Sequence, residues 1–151
     1  MSNREEITDL IYRYAELIDA GDFDGLGELL ARASFGGPRT PRVSGAHNIA
    51  ALFAMTTKRF ADGTPRTRHL VLNPIVEVDP NNPDTATARS TFCVVQATDT
   101  VGLQPIVVGR YYDTFARDEH GWHFTERIAD VEMVGDVSDH LLIDPDAFDQ
   151  S

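Results

Sequence analysis

From residue 5 to residue 19, apolar side chains recur at Ile7, Leu10, Ile11, Tyr14 and Ile18. That spacing is one buried stripe on a helix of 3.6 residues per turn. Gly21 stops the helix, and Asp22 is placed to cap a second, shorter one carrying Leu26, Leu29 and Leu30. Residues 35–41, Phe-Gly-Gly-Pro-Arg-Thr-Pro, hold too much glycine and proline for regular structure and are expected to be a loop. A third helix is predicted from about Ser44 through Ile49, Leu52, Phe53 and Phe60 to Ala61, where Asp62-Gly63 ends it.

Beyond that point the period changes from helical to extended. Strands are predicted over 67–78, 85–97, 106–117 and 122–134, each closed by a turn rich in Asp, Asn, Gly or Pro. Short turns between long strands make neighbours antiparallel. The fold class is therefore α+β: N-terminal helices over the concave face of a strongly curved, four-stranded antiparallel sheet. Twist turns such a sheet into a cone whose mouth can hold a pocket. One domain is expected over 1–151, with its core at about 4–136 and an acidic tail at 137–151. The tail reads as mostly irregular, although His140-Leu141-Leu142-Ile143 could dock as a lid or on a partner subunit.

Composition narrows the partners. A hydrophobic fraction of 42% supports a real core, and no apolar run approaches the roughly 20 residues of a membrane span. The first residues lack a basic region followed by an apolar stretch, so no signal peptide is predicted and the expected location is cytoplasmic. Lys and Arg number 13 against 24 Asp and Glu, a formal charge of −11. That field repels phosphate backbones and anionic lipid, which argues against nucleic acid and membrane partners. The single Cys93, inside an apolar run, cannot form an internal disulfide and is expected to be a small buried hydrophobe.

Candidate chemistry is sparse. On the strand at 67–78, alternation puts Thr67, His69 and Val71 on one face and Arg68, Leu70 and Leu72 on the other. His69 could serve as a base or could be satisfied by a backbone carbonyl. Asp19 ends the first helix, where a carboxylate faces the negative end of the helix dipole and needs another partner. A histidine would serve, and an Asp–His pair supports proton abstraction near neutral pH. Arg110 is expected on the outer sheet face, whereas Arg127 could point inward and steady a developing anion. The histidines are scattered and no Cys or carboxylate cluster accompanies them, so no metal is expected. No glycine loop for phosphate and no nucleophile in a recognisable context is present.

The string Arg13-Tyr14-Ala15-Glu16-Leu17-Ile18-Asp19-Ala20-Gly21-Asp22-Phe23-Asp24-Gly25-Leu26 resembles the opening of the nuclear transport factor 2-like superfamily. Arg68-His69-Leu70-Val71-Leu72-Asn73, Gly109-Arg110-Tyr111-Tyr112-Asp113-Thr114-Phe115 and Gly121-Trp122-His123-Phe124 are similar to its SnoaL-like branch. The resemblance spans about residues 4–136. Scytalone dehydratase and hexachlorocyclohexane dehydrochlorinase carry an Asp and a His at the positions of Asp19 and His69, the His as base of an elimination. The dehydrochlorinase also has an arginine matching Arg127. Its helix lysine is Tyr14 here, and the general-base Asp of ketosteroid isomerase is missing from Ala33-Ser34-Phe35-Gly36-Gly37.

The resemblance implies a cofactor-independent lyase or isomerase acting on a small, apolar, cyclic molecule. Its catalytic residues would be Asp19, His69 and Arg127, with substrate contacts from Tyr14, Phe35, Phe53, Met55, Phe60 and Val108. The alternative is a non-catalytic binding protein or accessory subunit of the same fold, as in the β subunits of ring-hydroxylating dioxygenases. Members of the fold commonly pair through the outer sheet face, so a homodimer is expected, with a trimer as the other option.

Overall fold

A computed structural model describes residues 1–144; the remainder of the tail lies outside the described residues. In chain order the elements are α1 (Asn3–Asp19), α2 (Phe23–Leu29), β1 (Ser34–Gly36), β2 (Val43–Ser44), α3 (Ala46–Thr56), β3 (Thr67–Val78), β4 (Thr85–Gln96), β5 (Gln104–Asp118) and β6 (Gly121–Val134). Ser2 caps α1 by accepting from the Glu5 N–H, and Asp22 caps α2 by accepting from the Gly25 N–H. Between them Gly21 takes φ +73°, and a Cβ there would meet the Gly63 carbonyl oxygen at 2.0 Å. Only glycine satisfies both the left-handed turn and that approach.

The four long strands form as the alternation predicts and pair antiparallel in the order β6-β5-β4-β3. The sheet has six strands rather than four, and it is mixed. Residues 34–36, in a region expected to be irregular, form β1, which runs parallel to β6 with Phe35 opposite Arg127. β2 pairs antiparallel with β1. The local glycines and prolines describe the 37–41 turn correctly. What overrides them at Ser34–Gly36 is the unpaired edge of β6, whose backbone groups need partners.

The third helix is also shorter than predicted. It ends at Thr56, and Thr57 is already extended (φ −114°, ψ 124°). Thr57 bridges to Leu141, and the Leu142 N–H donates to the Thr56 carbonyl at 2.9 Å. The segment 140–143 docks, one of the two behaviours open to it from sequence, and its pairing with Thr56 and Thr57 marks the end of the helix.

Register shifts occur at Leu72/Ile75 in the β3–β4 pair, Val94/Val95 in β4–β5, and Val108/Gly109 and Thr114/Phe115 in β5–β6. Such bulges bend strands and raise their twist, and here they accompany the curve of the open sheet. Helix α1 lies across β3, with Ile7, Ile11, Tyr14 and Ile18 buried toward the concave face. Phe92, Val94, Tyr111, Phe115 and Phe124 rise to meet them. Cys93 is half-buried rather than a core residue, because alternation on β4 sends its neighbours Phe92 and Val94 inward. Among the described residues, no helix is long and apolar enough to cross a membrane.

Candidate functional site

Asp19 is the last residue of α1, and the final turn of that helix contains no basic residue. Its carboxylate instead takes three hydrogen bonds from the start of β3: from Thr67 Oγ1 (2.9 Å), the His69 backbone N–H (2.8 Å) and His69 Nδ1 (2.7 Å). These donors offset the unfavourable helix end. With the carboxylate as acceptor, Nδ1 is the donating nitrogen of this contact, and Nε2 is the ring nitrogen not engaged by Asp19. The side chains of His69 and Asp19 are 6% and 11% exposed. The pair is thus nearly sealed from bulk water, and its open side is the interior.

That interior is a cavity of about 330 Å³ between the helices and the sheet, with His69 on its wall. Tyr14 and Ile18 enter from α1, Phe35 from β1, Leu52 and Phe53 from α3, and Phe92 and Tyr111 from the sheet. Rings meet edge-on or tilted: Tyr14 and Tyr111 centroids are 5.7 Å apart, Phe35 and Phe53 5.3 Å. Phe92 stacks on Tyr111 at 4.2 Å. A broader cleft of about 850 Å³ lies behind Asp19, lined by Glu16, Asp62, Arg66 and Leu103, and does not include His69. The cavity lined by these aromatic rings is therefore the one to which His69 is presented.

Arg127 does point inward, but it does not line the cavity. It is 0% exposed and pairs with Asp113, directly opposite on β5, through Nε at 2.9 Å and Nη2 at 3.3 Å. Its guanidinium carbon sits 3.5 Å from the Tyr111 ring centroid and 4.1 Å from that of Tyr14. The cation is stacked beneath the two tyrosines. Burial raises the Asp113 pKa against the pull of Arg127. Burial likewise pushes Tyr14 up to about 12, with Arg127 opposing, and Tyr111 well above its ordinary 10. Both phenols stay protonated at neutral pH. Arg110, as expected, lies on the outer face and pairs with Glu132.

Of the expected substrate contacts, Tyr14, Phe35 and Phe53 line the cavity, whereas Met55, Phe60 and Val108 do not. Met55 is 72% exposed, since Leu52, Phe53 and Thr56 occupy the inward face of α3. Phe60 lies beyond the shortened helix and lines an outer cleft under Lys58. Val108 is turned outward, with Val107 and Gly109 on the inward side of β5. Sequence reasoning missed Tyr111 and His140 on the cavity wall and Asp113 beneath it. The alternation of β5 places Tyr111 and Asp113 on one face and could have found both. His140 belongs to the 140–143 segment that was read as able to dock, but nothing in the local pattern directed its side chain to the cavity. Among the described residues, no group of three or more His, Cys, Asp or Glu is placed to hold a metal ion.

Several solved structures share the fold. A nuclear transport factor 2-like protein with a cystatin-like fold from Novosphingobium aromaticivorans is 29% identical, with a TM-score of 0.69 over 89% of this chain and 85% of that one. A protein from the same organism, provisionally named a scytalone dehydratase, is 17% identical, with a TM-score of 0.65 over 86% and 84% of the two chains. ActVI-ORFA from Streptomyces coelicolor is 16% identical, with a TM-score of 0.67 over 85% and 96%. No curated protein matches the sequence. The model of the SnoaL-like domain matches residues 1–128, and with the curved sheet, the helical cover and the aromatic cavity in agreement, the chain belongs to the SnoaL-like family of the nuclear transport factor 2-like fold.

Proposed function

We propose that the protein is a cofactor-independent lyase or isomerase, with His69 as general base and Asp19 as the group that orients it. The observation that carries this is the 2.7 Å contact between Asp19 and His69 Nδ1 at the wall of an aromatic cavity. Nucleophile-free proton transfer needs a base with a free lone pair, a fixed tautomer and exclusion of water. His69 Nε2 takes a proton from a substrate carbon, and Asp19 stabilises the imidazolium formed. The C–H electrons either form a double bond as a leaving group departs, or shift so that the proton returns to a neighbouring carbon. In the first case His69 passes its proton to the leaving group.

Tyr14 lines the cavity with its hydroxyl protonated at neutral pH, and so adds a hydrogen-bond donor to the wall. Arg127 is buried under the rings of Tyr14 and Tyr111 and is a positioning residue rather than a group that touches substrate. The volume and aromatic walls favour a small, largely apolar, cyclic molecule.

Cyclic ketones and hydroxyketones incubated in D₂O test the reading by NMR, which detects both exchange of carbon-bound protons and elimination. His69→Ala is expected to lower the rate by about 10²–10⁴-fold, and Asp19→Asn to lower it substantially, with circular dichroism unchanged in both. Near-normal rates in either variant would sink the proposal. Ligand binding that survives His69→Ala without any product would favour a non-catalytic binding protein.

A further inference from the structure

The segment after β6 is anchored far more firmly than an irregular tail requires. Val137 is buried, and its carbonyl accepts from the N–H groups of His140 and Leu141 at 3.0 Å each. The Lys58 N–H donates to the His140 carbonyl at 2.8 Å. Asp139, next to it, is held on every side: Gln96 Nε2 donates to its carbonyl at 3.0 Å, and Lys58 Nζ and Thr100 Oγ1 reach its carboxylate at 2.6 and 3.0 Å. These anchors deliver one polar side chain to the cavity. His140 is 7% exposed and shares the wall with His69.

The cavity lining that His140 joins includes the apolar Leu141, Ile143 and Val94 and the polar Thr57 and His69. The imidazole Nδ1 is nonetheless buried with no hydrogen-bond partner among the described residues. Buried polar atoms are nearly always paired, and one that is not calls for a functional explanation. Burial first, and then the nearby His69, lower the His140 pKa to about 4, against the pull of Asp19. The ring is therefore neutral at pH 7, and because Nδ1 is shut away from any ligand, Nε2 is the nitrogen that can carry the proton and donate into the cavity. A neutral imidazole can polarise a carbonyl without giving up its proton.

The geometry points to His140 as the oxygen-recognition group of the cavity, donating a hydrogen bond to the carbonyl of a cyclic ketone whose adjacent carbon loses its proton to His69. The assignment rests on the Asp19–His69 reading for the second half of that statement. As the C–H bond breaks, its electrons form a carbon–carbon double bond and the carbonyl π electrons move onto oxygen, where His140 meets the charge. Return of the proton from His69 to either end of the enolate restores the balance. A carbon–halogen bond accepts hydrogen bonds poorly, so this wall favours oxygenated substrates over halogenated ones.

The test uses the full chain and two matched probes, 1-indanone and indane, which differ by the carbonyl oxygen. Calorimetry is expected to show 1-indanone binding about tenfold more tightly, the upper range for one net hydrogen bond. His140→Phe should bring the two affinities within twofold of each other, and His140→Gln should restore part of the preference. In the ¹⁵N-labelled wild-type protein, which needs no variant to fold, the His140 ring shifts should move with 1-indanone and not with indane. A wild-type preference below twofold, or one unchanged in His140→Phe, overturns the inference. Exchange of the 1-indanone C2 protons in D₂O separates the two ideas. Exchange that needs His69 but shows no carbonyl preference leaves the base reading and removes this one. A His140-dependent preference without exchange does the reverse.

Discussion

Two acid–base pairs bridge elements on the inner side of this protein, and they differ in what the base can still reach. Asp113 and Arg127 sit directly opposite each other on β5 and β6, 0% exposed on both side chains, and aromatic rings cover the cation. Asp19 and His69 join α1 to β3, and one face of the imidazole opens onto the cavity. The first pair serves the fold: two hydrogen bonds tie Arg127 to Asp113, and although its Nη1 has no hydrogen-bond partner among the described residues, the aromatic rings separate the cation from the cavity. The second leaves a nitrogen lone pair where a substrate can sit. An inward-pointing charged residue is thus not enough to identify a reactive group, and the deciding feature is whether it meets a wall of side chains or an open volume.

Breaking one partner of each pair should separate them most clearly. Arg127→Ala strands a buried carboxylate, and a loss of about 3–5 kcal/mol of unfolding free energy is expected from removing one member of a buried ion pair. In His69→Ala, Asp19 keeps its bonds to Thr67 and the β3 backbone, so urea denaturation should show a distinctly smaller loss. Equal losses would put the two pairs in the same structural class.

The next effect is in pH. His140 lies within electrostatic reach of His69 and Asp19, with Asp139 and Lys58 on its flank. Its folded pKa of about 4 lies below the ordinary 6.5, so the unfolded chain takes up a proton first as pH falls. Stability from this group is undiminished above about pH 6.5 and is lost progressively toward pH 4. The pKa gap corresponds to about 3 kcal/mol at most. Denaturation at a series of pH values should show this slope, and His140→Phe should flatten it. A slope that persists in the variant would assign the loss to other groups. The smallest effect belongs to the outer face: Arg110→Ala removes an exposed pair with Glu132, and no measurable change in unfolding midpoint or ligand affinity is expected.

The helix stripe of Ile7, Ile11, Tyr14 and Ile18 and the alternation of 67–78 are local properties of the chain, and both elements form where those patterns place them. Asp19 and His69 were legible for the same reason. One is a carboxylate at the wrong end of a helix and the other a polar residue on the buried face of a strand, and each oddity calls for a partner. Cavity walls were harder to read, because a residue such as Met55 or Phe60 lines a cavity only if its helix continues and turns the right way.

Patterning, charge and turn chemistry therefore set the α+β class, the order of elements and the inward face of each strand, because periodicity of 3.6 or 2 acts over neighbouring residues. Contacts between distant segments decided the rest. Ser34–Gly36 became a strand because β6 had a free edge, and α3 stopped because the tail paired with Thr57. Arg127 went to Asp113 and not to the cavity, and His140 came to the lining that also holds His69. The first three of these outcomes satisfy a backbone or charged group with a partner on another element, from 14 residues away for Arg127 and Asp113 to far more for the strand and tail pairings, and local periodicity does not specify such partners.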